Sequence, residues 1–258
     1  MSESRRSALP DGPFPLQVCG INAVAEALDS GRSLERLYVR SGYRNARIDQ
    51  LSRRARQAGI PVVPVPEQKL ARYGKAHQGV VAILSPVPYC SWEEVVQRAY
   101  ESGEDPLLLV CDRITDVRNL GAIARTAWIA GVHGLLVPHR ETAALHSEAV
   151  KASAGALLHL SVSRVASLSQ AVEQMKLQGI KIAAAEARQG LLPDQVSLTG
   201  PLALIVGSEG EGIGPSLLKL AEVRLSLPMR RPFDSYNVSV AAAMLLYEVM
   251  RQRHQAAM

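Results

Sequence analysis

The sequence predicts an α/β protein in two parts, a small α/β unit followed by a larger unit built on a parallel sheet. Three observations carry this. Beyond Leu107, short continuous apolar runs alternate with helix-length amphipathic stretches, as parallel strands covered on both faces require. Ahead of residue 85, helix-like and strand-like patterns alternate and then stop at a proline-rich break. The 258 residues, 47% of them hydrophobic, are enough for two cores.

The elements follow in order. Residues 1–15 are charged, carry no apolar stretch behind them and read as a disordered tail rather than a secretory signal. The first unit occupies 16–85. Ile21, Val24, Ala25 and Leu28 recur at helical spacing, and this helix stops at Gly31. In LERLYVR (34–40), Leu37 and Val39 alternate as in a strand, and a basic helix over 45–58 then ends at Gly59. IPVVPV (60–65) holds too much proline for a central strand. After a short helix, HQGVVAIL (77–84) supplies the last strand. Residues 86–105, with two prolines, a short amphipathic piece and a Gly-Glu-Asp-Pro turn, read as a linker.

The second unit spans 106–258. Its strands are LLLVC (107–111), GLLVP (134–138), KIAAAEA (181–187), LALIVG (202–207) and VRLSLP (223–228). Helices are expected over 119–131, 144–155, 167–178, 215–221 and 237–253. Five strands alternating with five helices make a parallel sheet with helices on both faces.

Charge is unevenly spread. Residues 1–90 hold 13 Lys+Arg against 7 Asp+Glu, whereas residues 91–258 hold 16 against 17. The excess gathers at Arg32, Arg36, Arg40, Arg44, Arg47, Arg53, Arg54 and Arg56. A solvated helix face would also look like this, but a basic front half joined to a neutral back half favours nucleic-acid binding. Arginine suits bidentate phosphate contact. No run approaches the length of a membrane span. The three cysteines and six histidines have no metal spacing, which points to buried thiols in a reducing cytoplasm and to no metal. Trp92 and Trp128 read as packing residues.

GSEGEGIG (207–214) joins a strand to a helix, so a dinucleotide or phosphate site has to be weighed. Three features oppose it. The motif follows the fourth strand of its unit, Glu209 and Glu211 would repel a pyrophosphate, and no Gly-Lys-Ser/Thr follows. A nucleoside carrying a positive centre fits these acidic, glycine-rich loops better.

Three stretches then carry a resemblance. DRITDVRNLGAIARTAWIAGV (112–132), LIVGSEGEGI (204–213) and LPMRRPFDSYNVSVAAAMLLYE (227–248) resemble, in order and separation, the motifs of SpoU-type RNA ribose 2′-O-methyltransferases of the SPOUT superfamily. CGINAVAEAL (19–28) and HQGVVAIL (77–84) are similar to the ends of the ribosomal-protein-like substrate-binding domain of the family's 23S rRNA members. The resemblance implies a deep trefoil knot, a homodimer, and S-adenosylmethionine held at Val206, Gly207, Gly212, Ile213, Leu227, Pro228, Met229 and Tyr236. It implies a catalytic group of Asn119, Arg125, Glu209, Ser235 and Asn237. RNA contacts are expected from Arg44, Arg53 and Arg54 in the basic window, from Arg113 and Arg118 near the loop of the first motif, and from Arg230 and Arg231 on the acceptor side.

Some of these residues have simpler readings. Asn237 and Ser239 could cap the final helix, Asn119 could cap the helix that follows it, and Glu209 could be a solvated turn residue. A guanidinium is a poor general base, so Arg125 is expected to position phosphate and stabilise a developing alkoxide. The chain departs from the family pattern at Arg231, where glycine is common, and at Tyr236, where leucine is usual. The resulting expectation is ribose methylation of 23S rRNA. A tRNA ribose methyltransferase, a silent RNA-binding assembly factor and an antibiotic-resistance methyltransferase are the rivals.

Overall fold

Two sheets organise the chain, in a computed structural model that describes residues 17–256. The expected N-terminal tail lies outside the described residues. The two units divide between Pro86 and Val87.

The first unit runs β1 (Gln17–Cys19), α1 (Ile21–Asp29), β2 (Leu34–Arg40), α2 (Ala46–Gln57), β3 (Val62–Val65), α3 (Glu67–Ala71) and β4 (Val80–Leu84). Its sheet order is β1-β4-β2-β3, with β2 and β3 parallel and the other pairs antiparallel. β3 lies at an edge, where Pro64 costs no central ladder bond. Leu37 and Val39 share one face of β2 as expected, but burial does not alternate along the strand, because Leu34, Glu35, Leu37 and Tyr38 are all buried. Both faces of this sheet are covered: Leu37 packs with Val24, Ile48 and Leu51, while Tyr38 packs with Val65 and Leu70. Asn45 caps α2 by accepting from the Arg47 and Ile48 N–H groups at 3.0 and 3.3 Å. The short β1 has no periodicity to announce it.

The second unit contains α4 (Trp92–Glu101), β5 (Leu107–Asp112), α5 (Val117–Ile129), β6 (Gly134–Pro138), α6 (Ser147–Ala152) and β7 (Ser161–Val165). It continues with α7 (Leu168–Leu177), β8 (Lys181–Ala185), β9 (Leu202–Gly207), α8 (Pro215–Leu220), β10 (Val223–Leu225) and α9 (Val238–Ala256). The six strands, in the order β10-β8-β9-β5-β6-β7, are all parallel. Along β5 the side chains alternate. Leu107, Leu109 and Cys111 enter a core with α5 and α9, and Leu108 and Val110 enter one with α4 and α7.

Two expectations are corrected here. Residues 86–105 are not a linker: α4 buries Trp92, Val95, Val96 and Ala99 in the second unit's core, and Ser91 caps it by accepting from the Glu94 N–H at 3.2 Å. The flanking prolines and Gly103 suggested a linker, but they only bound a helix. The sheet also has six strands rather than five. SVSRV forms an edge strand, and an edge strand needs no continuous apolar run.

Candidate active site

The parallel strands β8, β9 and β10 end at one edge of the sheet, where ligand sites in open α/β folds form. There a cavity of about 570 Å³ opens. Val206, Leu225, Leu227, Val238, Ala241 and Leu245 give it an apolar lining, and Glu186, Arg188, Glu209, Asp234, Ser235 and Tyr236 give it a polar one. That size and character suit a ligand with a flat apolar part and a few polar groups. Three carboxylates against one guanidinium favour a positive centre over a phosphate.

The glycine turn after β9 shapes one wall. A Cβ on Gly207 would lie 2.3 Å from the carbonyl carbon of Gly212, so only glycine allows the turn to fold back. The Gly212 N–H donates to the Ser208 carbonyl at 3.0 Å and closes that turn.

Above the turn, three side chains form a closed network. Asn119 Nδ2 donates to Glu209 Oε1 at 3.0 Å, and Asn237 Nδ2 donates to Asn119 Oδ1 at 3.0 Å. Asn237 also donates to Glu209. The Asn237 carbonyl oxygen meanwhile caps α9, accepting from the Ser239 N–H at 2.9 Å and the Ser239 hydroxyl at 2.6 Å. Asn237 is therefore both cap and site residue. Ser239 is not the cap, and neither is Asn119. Asp116 caps α5 by accepting from the Arg118 N–H at 2.6 Å, which leaves the Asn119 side chain free for the network. Glu209 is a network member, not an idle turn residue.

Comparison with known proteins bears on this arrangement. Residues 106–247 match the model of the SpoU rRNA methylase family, and residues 17–90 match that of the RNA 2′-O ribose methyltransferase substrate-binding domain. The chain belongs to the SpoU methylase family. A Bacillus subtilis (strain 168) relative named as the TrmH family tRNA/rRNA methyltransferase YacO is 37% identical and aligns over 92% of this chain and 96% of its own. Among solved structures, the SpoU methyltransferase AviRb from Streptomyces viridochromogenes, in complex with AdoMet, superposes with a TM-score of 0.60 at 25% identity, covering 93% of this chain and 91% of its own. The A. aeolicus TrmH/SpoU tRNA modifying enzyme matches at 28% identity and a TM-score of 0.55 over 64% of this chain and 85% of its own.

This SpoU-family methyltransferase therefore uses S-adenosylmethionine. The cavity fits that cofactor: apolar side chains for an adenine ring, a glycine turn for close backbone approach, and acidic groups for a sulfonium.

The remaining expected residues divide. Val206, Gly207, Gly212, Leu227, Met229, Ser235 and Tyr236 line the cavity. Pro228 and Ile213 do not. The Pro228 carbonyl accepts from the Tyr236 hydroxyl at 2.9 Å, and Ile213 is buried in the core. Arg125 is exposed on α5 and absent from the cavity wall; it shares a face with Arg118, seven residues earlier.

Arg113 is not a free phosphate contact. At φ 55° it turns its guanidinium inward to pair with Glu211 and to donate to the Gly212 carbonyl at 3.1 Å. Arg54 pairs with Asp29 on α1, whereas Arg44, Arg53, Arg230 and Arg231 are exposed. Trp92 is buried as expected. Trp128 is not: it is 47% exposed and stacks on His159 with ring centroids 5.4 Å apart.

Sequence reasoning missed the wall made by Ala185, Glu186, Ala187 and Arg188. Its one signal was a carboxylate and a guanidinium just past an otherwise apolar strand. Among the described residues no His/Cys/Asp/Glu group could hold a metal, and the cysteines are unpaired.

Proposed function

We propose that this chain methylates the 2′-hydroxyl of a ribose in RNA, with 23S ribosomal RNA as its substrate. The closed Asn119–Glu209–Asn237 network at the border of the donor cavity carries this reading. The cofactor supplies a methyl group already activated on a sulfonium, so the protein's task is to orient the acceptor oxygen and manage its proton.

The network leaves the second Asn119 N–H and Glu209 Oε2 without partners among the described residues. These face the acceptor ribose together with Ser235. Arg118 and Arg125 grip the flanking phosphates, and Arg125 stabilises the alkoxide as it forms. A well-placed donor of this kind contributes about 3–4 kcal/mol. The proton leaves through water, since arginine holds its own.

The first unit, with exposed Arg44 and Arg53, recognises structured RNA by phosphate contact and shape. The ribosomal choice draws support from the substrate-binding match over 17–90, together with the partial 64% coverage by the tRNA modifying enzyme.

A homodimer and a trefoil knot belong to the same proposal. On α9, Val240, Met244 and Tyr247 expose 46%, 39% and 65% of their surface along one stripe, an apolar face suited to a second copy. The segment after β8 runs beside β10, with the Leu191 N–H donating to the Arg224 carbonyl at 2.8 Å, and threading of the C-terminal segment accords with that contact. Unpaired cysteines, and the lack of a described helix long and apolar enough to cross a membrane, suit the cytoplasm.

The test incubates the protein with labelled S-adenosylmethionine and separated rRNA and tRNA pools, then maps methyls by alkali-resistant linkages. Label at a ribose of 23S rRNA is expected. Label in tRNA alone overturns the substrate, and label on bases overturns the reaction.

A further inference from the structure

The wall formed by residues 185–188 places a carboxylate inside the donor cavity. Glu186 lies two residues past the last paired position of β8 and β9, Ala184 with Ile205, which sets it across from Gly207. Its backbone N–H donates to the Leu225 carbonyl at 2.8 Å, so β10 holds it from the other side. Neighbouring strands lie about 4.8 Å apart, so the position is fixed on both flanks.

The side chain is equally constrained. Glu186 Oε2 accepts from Arg224 Nη1 at 3.2 Å, and the side chain is 24% exposed. Oε1 accepts from no described residue. Around it the wall is formed by Ala185, Ala187 and Leu225, and the nearby Arg188 is paired with Asp234. The other carboxylate near the glycine turn, Glu209, is held by the two asparagines through Oε1 and turned toward the acceptor side, not toward the end of β8. A ligand hydroxyl at the β8 end of the cavity therefore meets one oriented, unsatisfied acceptor.

We propose that Glu186 reads the ribose diol of the adenosyl donor, its free oxygen accepting from the hydroxyls while Arg224 holds the carboxylate in place. This rests on the cavity being the donor pocket. An ionised carboxylate accepts and cannot donate, so it selects for hydroxyls and against their absence. Carboxylates at strand ends bind ribose hydroxyls in the same way in other α/β nucleotide folds.

The test is calorimetric titration of the full chain with S-adenosylhomocysteine and with its 2′-deoxy and 3′-deoxy analogues. The native protein should bind at least one deoxy analogue about 10- to 100-fold more weakly, the range for a charge-assisted hydrogen bond. Glu186→Ala should weaken the parent ligand by the same factor and bind all three ligands about equally. Arg224→Ala, which keeps the carboxylate but removes its holder, should reduce the discrimination without abolishing it. An unaltered deoxy penalty in Glu186→Ala with an intact melting curve would overturn the assignment. So would a native protein that binds all three equally. A native protein that binds none of them would overturn the donor-pocket reading itself.

Discussion

Asn237 divides its amide between two tasks, the oxygen for helix α9 and the nitrogen for Asn119 and Glu209. Replacing it separates them. Asn237→Ala should lower stability by about 1 kcal/mol through the lost cap and reduce single-turnover methyl transfer by roughly a hundredfold. Asn237→Ser should restore the cap and the melting temperature but not the transfer rate. A serine variant that recovers both the melting temperature and the transfer rate would show that the network has no catalytic weight. The identity of this triad was legible, because motif spacing marks asparagine and glutamate where a helix and two loops meet. The position of Arg113 was not. Its partners Glu211 and Gly212 lie about a hundred residues away in sequence, and only the fold joins them. Arg113→Ala should slacken the glycine turn and weaken S-adenosylhomocysteine binding by about tenfold. The salt dependence of RNA binding should stay unchanged, whereas a phosphate contact would reduce its slope by about one.

At the level of elements, the sheet edge sets the site and the helices hold the sheet. α5 and α6 approach so closely that a Cβ on Gly121 would lie 2.4 Å from the Ala152 Cβ. Gly121→Ala should therefore cost about 1–3 kcal/mol by overpacking, read as a lower urea midpoint at constant m-value. A midpoint raised by improved helix propensity would contradict that close approach. At its far end α9 is tied down by Arg253, which donates to the Asp105 and Gly200 carbonyls at 2.8 and 2.6 Å. The strands β5, β6 and β9 were readable from their apolar runs. Helix α4 was readable in principle, since Trp92, Val95, Val96 and Ala99 follow a 3.6 period, but the surrounding prolines and glycine masked it. Strand β7 left no such signal, because two of its five residues, Val162 and Ser163, are buried and one of those is polar.

For the molecule as a whole, pH enters through a half-buried histidine. Burial and the neighbouring Arg164 push His139 below its ordinary value of 6.5. The unfolded chain then binds the proton first. The contribution is complete above pH 6.5 and is lost as pH falls toward the folded value. The melting temperature should drop through that window, and His139→Gln should flatten the drop. An unchanged acid limb in that variant would assign the pH dependence to other groups. Charge is also a whole-chain property. The basic excess lies in the first 90 residues, so RNA affinity should weaken steeply with salt while donor binding should not.

Local pattern was sufficient for the fold class, the two units and most strands, because burial on a sheet and helix starts leave periodic and compositional marks on nearby residues; the motif residues came from the family resemblance. The tertiary structure alone decided which arginines are free and that residues 185–188 wall the cavity. Each of those depends on partners distant along the chain, and no local spacing encodes such a pairing.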